Sequence, residues 1–235
     1  MNKSGRWARR AVWATLAAVL TIGCNPLTTI AFIFHRDDKV PAAYPLPAKE
    51  DEAGKKKEEV KVAVFCAFAQ TPPIEFATAD RELATQIVKR CPDVLKECGA
   101  KQKLVFVPSA DVEKFKSTNP NWRAMHPSAW GKKLGADYVM EIGLAGLQIY
   151  QPRSSNQIYE GRAEVTVDVY DVAEPGAAPK HNYTYPYTYP KGMVRSVDSI
   201  PSASQFKQMY LDNLAVELIL KHVEHKPSEG IAADR

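Results

Sequence analysis

The chain alternates between runs with a two-residue and a four-residue hydrophobic period, and the order of those runs predicts its elements. Val62-Ala63-Val64-Phe65-Cys66-Ala67-Phe68 is apolar on both faces and too short for a typical helix, which predicts a central strand. Leu83, Ile87 and Cys91 recur every fourth position with Ala84 and Val88 beside them, while Arg81, Glu82, Lys89 and Arg90 fill the opposite side. That pattern predicts an amphipathic helix, stopped near Pro92. Leu104-Val105-Phe106-Val107 predicts a second short strand, completing a strand, helix, strand crossover.

Downstream, Pro127 and Gly135 bracket a short helix over 127–134, because proline is favoured at a helix start and glycine just past its end. Tyr138, Met140, Ile142 and Leu144 then alternate with Val139, Glu141 and Gly143, as a strand with one face on the core requires. After a polar loop at 151–157, Ala163, Val165, Val167 and Val169 alternate with Arg162, Glu164, Thr166 and Asp168, predicting a strand whose polar face is open to water or to a partner. Tyr183, Tyr185, Tyr187 and Tyr189 alternate with Thr184, Pro186, Thr188 and Pro190, and the prolines confine that row to an edge strand or extended segment. Ser202 and Gln205 stand in capping-box spacing ahead of Phe206, Tyr210, Leu214 and Leu218, which predicts a last helix lying across the sheet. The fold class is therefore α/β: a sandwich of a mixed sheet with packed helices, one domain.

The front of the chain has a different character. Lys3, Arg6, Arg9 and Arg10 precede an apolar run, Ala11 to Gly23, that ends at Cys24, and a positive start followed by an apolar segment and small residues is the form of an export signal. Leu20-Thr21-Ile22-Gly23-Cys24 resembles a lipobox, with Thr21 where such motifs prefer a larger aliphatic residue. Two acyl chains on Cys24 give stable anchoring, since each buried methylene contributes only about 0.8 kcal/mol. The alternative is an uncleaved anchor over Ala11 to Phe34, interrupted at Asn25-Pro26. Either reading leaves the positive residues inside and the domain outside the cytoplasm. Residues 36–60 combine Pro41, Pro45 and Pro47 with the charged run Lys49 to Glu59, a composition that does not bury enough apolar surface to order itself. The resulting division is a signal at 1–23, a disordered membrane tether at 24–59, an α/β envelope domain at 60–226 expected to fold alone, and a flexible tail at 227–235.

Charge and cysteine usage narrow the function classes. The formal charge is +4, but with the four cations of residues 1–23 removed, 27 basic side chains face 27 acidic ones. A neutral exported part argues against a nucleic-acid partner. With Cys24 assigned to lipid, Cys66, Cys91 and Cys98 remain, which allows one internal disulfide. Cys91 with Cys98 is the favoured pair if Pro92 breaks the helix between them, and buried thiols are the alternative.

The chain carries little recognisable chemistry. There is no Gly-x-Ser-x-Gly elbow, no phosphate-cradling glycine loop and no zinc-type ligand spacing, so no catalytic residue, metal or cofactor is expected. His222 and His225 read as surface histidines near a helix end, and Cys66 as a buried thiol. Glu164 and Asp168 share a strand face about 13 Å apart, as a solvated surface would have them. Asp137 after Gly135 reads as a turn acceptor. The tyrosine row Tyr183, Tyr185, Tyr187 and Tyr189 is the candidate partner surface, with core cover as the other reading. Trp122 and Trp130 are a second aromatic pair whose default is packing.

The order of these elements, with Leu134-Gly135-Ala136-Asp137-Tyr138-Val139 and the strand end Val167-Asp168-Val169-Tyr170-Asp171-Val172, resembles a group of envelope proteins. The group comprises the curli-export lipoproteins, the lipoprotein activators of penicillin-binding proteins, and the amino-terminal domain of the Tol-Pal propeller protein. The resemblance covers about residues 61–223 and lies in structural phrases. It implies a compact α/β sandwich that binds another protein and has no catalytic site. The loop Phe68-Ala69-Gln70-Thr71-Pro72-Pro73 and the turn Glu174 to Pro179 depart from the group, and no long insertion offers a membrane-spanning hairpin. The expected function is thus a lipid-anchored, periplasm-facing envelope lipoprotein that binds another envelope protein and is able to oligomerise. A hydrolase or carbohydrate-acting enzyme, and a subunit of a secretion assembly, are the alternatives.

Overall fold

The computed structural model describes residues 39–50, 58–100, 103–192, 195–200 and 202–226. The signal, Cys24 and the tail at 227–235 lie outside them. Six strands, β1 (Glu59–Phe68), β2 (Lys103–Phe106), β3 (Tyr138–Tyr150), β4 (Ile158–Asp171), β5 (His181–Tyr189) and β6 (Arg195–Ser196), form one mixed sheet in the order β2-β1-β3-β4-β5, with β6 beside β4. Among the described residues four α-helices accompany it: α1 (Ala79–Cys98), α2 (Ser109–Thr118), α3 (Pro127–Leu134) and α4 (Ala203–Leu220). The α/β sandwich read from the sequence is the observed fold.

Connection length explains the topology. β1 runs parallel to both β2 and β3, which demands crossovers, and α1 and then α2 with α3 supply them. From β3 onward the loops are short and the pairing is antiparallel. Val60, Val62, Val64 and Cys66 of β1 and Tyr138, Met140, Ile142 and Leu144 of β3 point to the face covered by α1 and α4, where the main core lies. Ala63, Phe65 and Val139 point to the other face and meet α2 and α3 in a smaller core with Val112, Phe115 and Trp130. A register shift after Ala145, with Gly146 at φ +59°, lets β3 bulge so that Leu147 and Ile149 stay on the main-core side.

Helix α1 departs from the expected stop. It continues through Pro92 to a left-handed cap at Gly99, whose N–H bonds Leu95 O and Lys96 O. Pro92 faces solvent, and Ile87, Cys91, Val94 and Cys98 bury the other side, so packing outweighs the roughly 3 kcal/mol that an interior proline costs a helix. The proposed Cys91–Cys98 disulfide is therefore corrected: no bridge forms, because an unbroken helix holds the pair about 10 Å apart along its axis. Helix α2, which follows Pro108 and buries only Val112 and Phe115, has too weak a period to be seen in the sequence.

The second correction concerns the tether. Residues 39–50, assigned to a disordered spacer, lie on the domain as an extended strap. Leu46 is 1% exposed, and Val40 forms a bridge with His225 beyond α4. Prolines 41, 45 and 47 favour the extended form and leave the amides of Val40 and Tyr44 to make the contacts, donating to His225 O and Lys221 O.

Candidate protein-docking face

Strict alternation in β4 divides its side chains between two environments. Ala163, Val165, Val167 and Val169 go to the main core, while Arg162, Glu164, Thr166 and Asp168 go to the opposite face. Helices α2 and α3 cover that second face only over β1, the start of β3 and the end of β4. They sit close there: a Cβ added to Gly131 of α3 would lie 2.2 Å from Val172 Cγ2 and 2.8 Å from Val139 Cγ2. Among the described residues no helix crosses the remainder, so the strip formed by the second half of β3, β4 and β5 faces solvent.

The strip is polar and internally ordered. Thr166 and Thr184 hydroxyls meet across β4 and β5 at 3.1 Å, Asn182 donates to the Asp168 carboxylate, and Arg162 pairs with Glu160 on its own strand. Cross-strand pairs of this type hold side chains in one arrangement and stabilise a sheet by about 0.2–1 kcal/mol each. Glu141 of β3 stands directly opposite Asp168, and its carboxyl is held above the usual range by burial first and by the Asp168 charge second, with Arg123 opposing. Glu141, Glu164 and Asp168 make this an acidic surface. Beside it, the partly buried Trp122 carries the Arg123 guanidinium 5.1 Å from its ring centre and accepts, at its carbonyl, a 2.8 Å bond from Trp130 Nε1.

The residues singled out in the sequence go to different places. The tyrosine row is corrected as a partner surface: Tyr183, Tyr187 and Tyr189 are buried and Tyr185 is partly buried, all on the main-core side, where Tyr187 meets Tyr210 and Tyr189 meets Phe206. Burial pushes the phenols of Tyr183, Tyr185 and Tyr187 up. His222 is corrected too, being 3% exposed rather than at the surface, with its imidazole pushed down to about 4 by burial. Glu164 and Asp168 share one open face as expected, and Trp130 is packed in the smaller core. Asp137, expected to accept within its own turn, instead clamps two strands: its carboxylate takes a 2.9 Å bond from Lys61 N, and its own N–H donates to Lys61 O at 2.7 Å, which sets β3 beside β1. Burial raises the Cys66 thiol and lifts that of Cys91 to about 12. Among the described residues no three His, Cys, Asp or Glu side chains are placed to hold a metal, and no helix is long and apolar enough to cross a membrane.

Two features escaped the sequence reading. Glu141 counts there only as a polar beat of β3, since its partner Asp168 depends on register. The strap escaped because its prolines and charges outweigh Tyr44 and Leu46 in composition; the single signal was those two apolar residues at alternate positions between prolines.

No family model and no curated protein matches the chain. It is similar to the PelC dodecamer from Paraburkholderia phytofirmans, at 12% identity and a TM-score of 0.38 over 78% of this chain and 95% of that one. Lipoprotein GNA1162 from Neisseria meningitidis is 11% identical with a TM-score of 0.41, over 68% of this chain and 97% of its own. A minor lipoprotein from Acinetobacter baumannii is 12% identical with a TM-score of 0.30, over 68% and 88% respectively. Likeness at this level defines neither a shared family nor a shared activity for this chain. The curli-export, penicillin-binding-protein-activator and Tol-Pal resemblance receives no family match.

Proposed function

We propose that this chain is a lipid-anchored envelope lipoprotein, attached through Cys24, whose α/β domain faces the periplasm, binds another envelope protein and performs no chemistry of its own. One observation carries the binding reading: the sheet is sealed on one face by α1 and α4, while on the other its β3–β5 strip presents ordered polar side chains to solvent. An antiparallel sheet tolerates one wet face, so the strip needs no partner to be stable, yet a polar surface with ordered side chains suits reversible protein contact. The edges are poorer candidates: Pro186 interrupts β5, and β2 is only four residues long. The acidic character of the strip favours a basic partner surface. The anchor reading is supported by the basic start, the apolar run and the small residue ahead of Cys24.

The test places a photoreactive residue at Thr184 or Glu164 in intact cells, with Gln208 of α4 as control. One discrete protein is expected to crosslink from the strip and not from the control, and its yield is expected to fall at least fivefold on Glu164→Lys with Asp168→Lys. Capture from Gln208 but not from the strip would remove the docking assignment. Separately, Cys24→Ala is expected to abolish incorporation of labelled fatty acid, and labelling that persists would remove the anchor.

A further inference from the structure

The strap at 39–50 is held by a short series of contacts, and histidines take part in several of them. Val40 and His225 exchange backbone bonds of 2.7 and 3.1 Å, and Tyr44 N donates to Lys221 O at 2.9 Å. His222 Nδ1 donates to Tyr44 O at 2.7 Å, and its Nε2 accepts from the Tyr183 hydroxyl at 3.1 Å. The Tyr44 ring stacks on Tyr183 with centres 3.9 Å apart and planes 5° from parallel. His181 Nε2 donates to Pro45 O at 2.9 Å, Tyr138 Oη donates to Pro47 O at 2.9 Å, and Lys49 pairs with Asp171. Three of the chain's five histidines thus line one seam. The strap's apolar hold is small, consisting chiefly of Leu46 and the Tyr44 ring. Segments with few buried apolar contacts open at lower free energy than the core beneath them.

We propose that residues 39–50 are a detachable clasp, closed while the His222 imidazole is neutral and opened by acid, and that its opening lengthens the tether between membrane and domain. The neutral tautomer satisfies both bonds at once, with Nδ1–H toward Tyr44 O and the bare Nε2 toward the Tyr183 hydroxyl. A second proton on Nε2 removes that acceptor and leaves a charge in a site 3% exposed. The groups facing it offer little relief. Tyr44 and Lys39 come from the strap, His181 and Tyr183 from β5, and Lys221, Glu224 and His225 from the end of α4. Glu224 is the one anion among them and is paired with Lys39 at 3.2 Å. His181 and Lys221 oppose the added charge. Released, the strap exposes His222 to water and adds about 40 Å of extended contour at about 3.4 Å per residue.

Burial is the main cause of an imidazole value near 4 in the closed form against the ordinary 6.5, so acid favours the open form across that interval. Between pH 7.5 and pH 5 the balance moves roughly 30-fold toward opening. Hydrogen exchange read by mass spectrometry on the full chain in detergent micelles, corrected for intrinsic rates, tests this. Protection over 39–50 is expected to fall roughly 30-fold at pH 5, with a midpoint between the closed and open values, while β3 and β4 keep theirs. His222→Gln keeps one donor and one acceptor without titrating and is expected to abolish the acid response, and Tyr44→Ala is expected to open the clasp at pH 7.5 with the sheet intact. Strap protection that does not change at pH 5, that disappears only together with β3 and β4, that survives Tyr44→Ala, or that stays acid-sensitive in His222→Gln would each overturn the clasp. The opening is read independently of attachment. The gain in reach rests on the Cys24 anchor, which fatty-acid labelling tests by itself.

Discussion

At the scale of single residues, Gly161 shows how a position that looks neutral in a strand becomes obligatory. A Cβ there would lie 2.1 Å from Tyr210 Cδ2 and 2.6 Å from Cε2. Tyr210 has nowhere to go, being fully buried between Phe76 and Tyr187. Gly161→Ala is expected to destabilise the domain by about 3 kcal/mol through overpacking, measured by urea denaturation. A change within about 0.5 kcal/mol would mean that α4 shifts away more easily than its contacts indicate. The thiols belong to the same scale. With Cys24 replaced, Cys66, Cys91 and Cys98 are expected to resist a thiol reagent at pH 8, then to react as three once denatured without reductant. A single reactive thiol would restore the Cys91–Cys98 bridge.

Among elements, competition between local propensity and packing decided the outcomes that mattered. Pro92 is a helix breaker by propensity, yet four core residues on the far side of α1 keep the helix running past it. The tyrosine row is an edge strand by its prolines and a core strand by its rings, and it is both: β5 stands at the end of the sheet, and α4 and the strap cover its tyrosines. The strap reverses the same rule. Its sequence favours solvation, but the carbonyls of Tyr44, Pro45 and Pro47 find donors in His222, His181 and Tyr138. A chain beginning at residue 39 is therefore expected to be about 3 kcal/mol more stable in urea than one beginning at residue 59, because the shorter one loses Tyr44 and Leu46. Equal midpoints would mean that the strap rests on the domain without stabilising it.

For the whole molecule, the asymmetry between the two faces of the sheet is the property on which the proposed function rests. One face is closed by two long helices, and the other is closed only where α2 and α3 reach. That leaves an acidic, ordered strip pointing away from α1 and α4. It is this open surface, rather than a cleft, through which the proposed function has the domain act.

How much of this was legible in the chain follows from the range of each interaction. Strands β1, β3 and β4 and helices α3 and α4 are written in local periodicity and capping, because a period of 2 or 3.6 and a Pro, Gly or Ser at a boundary act on neighbours in sequence. The apolar start before Cys24 is equally local. Register, which brings Glu141 opposite Asp168, the burial of His222 under Tyr44, and the uncovered half of the sheet depend on residues 27 to 178 positions apart. No window along the chain contains such pairs, so only the folded arrangement decides which polar residues meet water and which close a clasp.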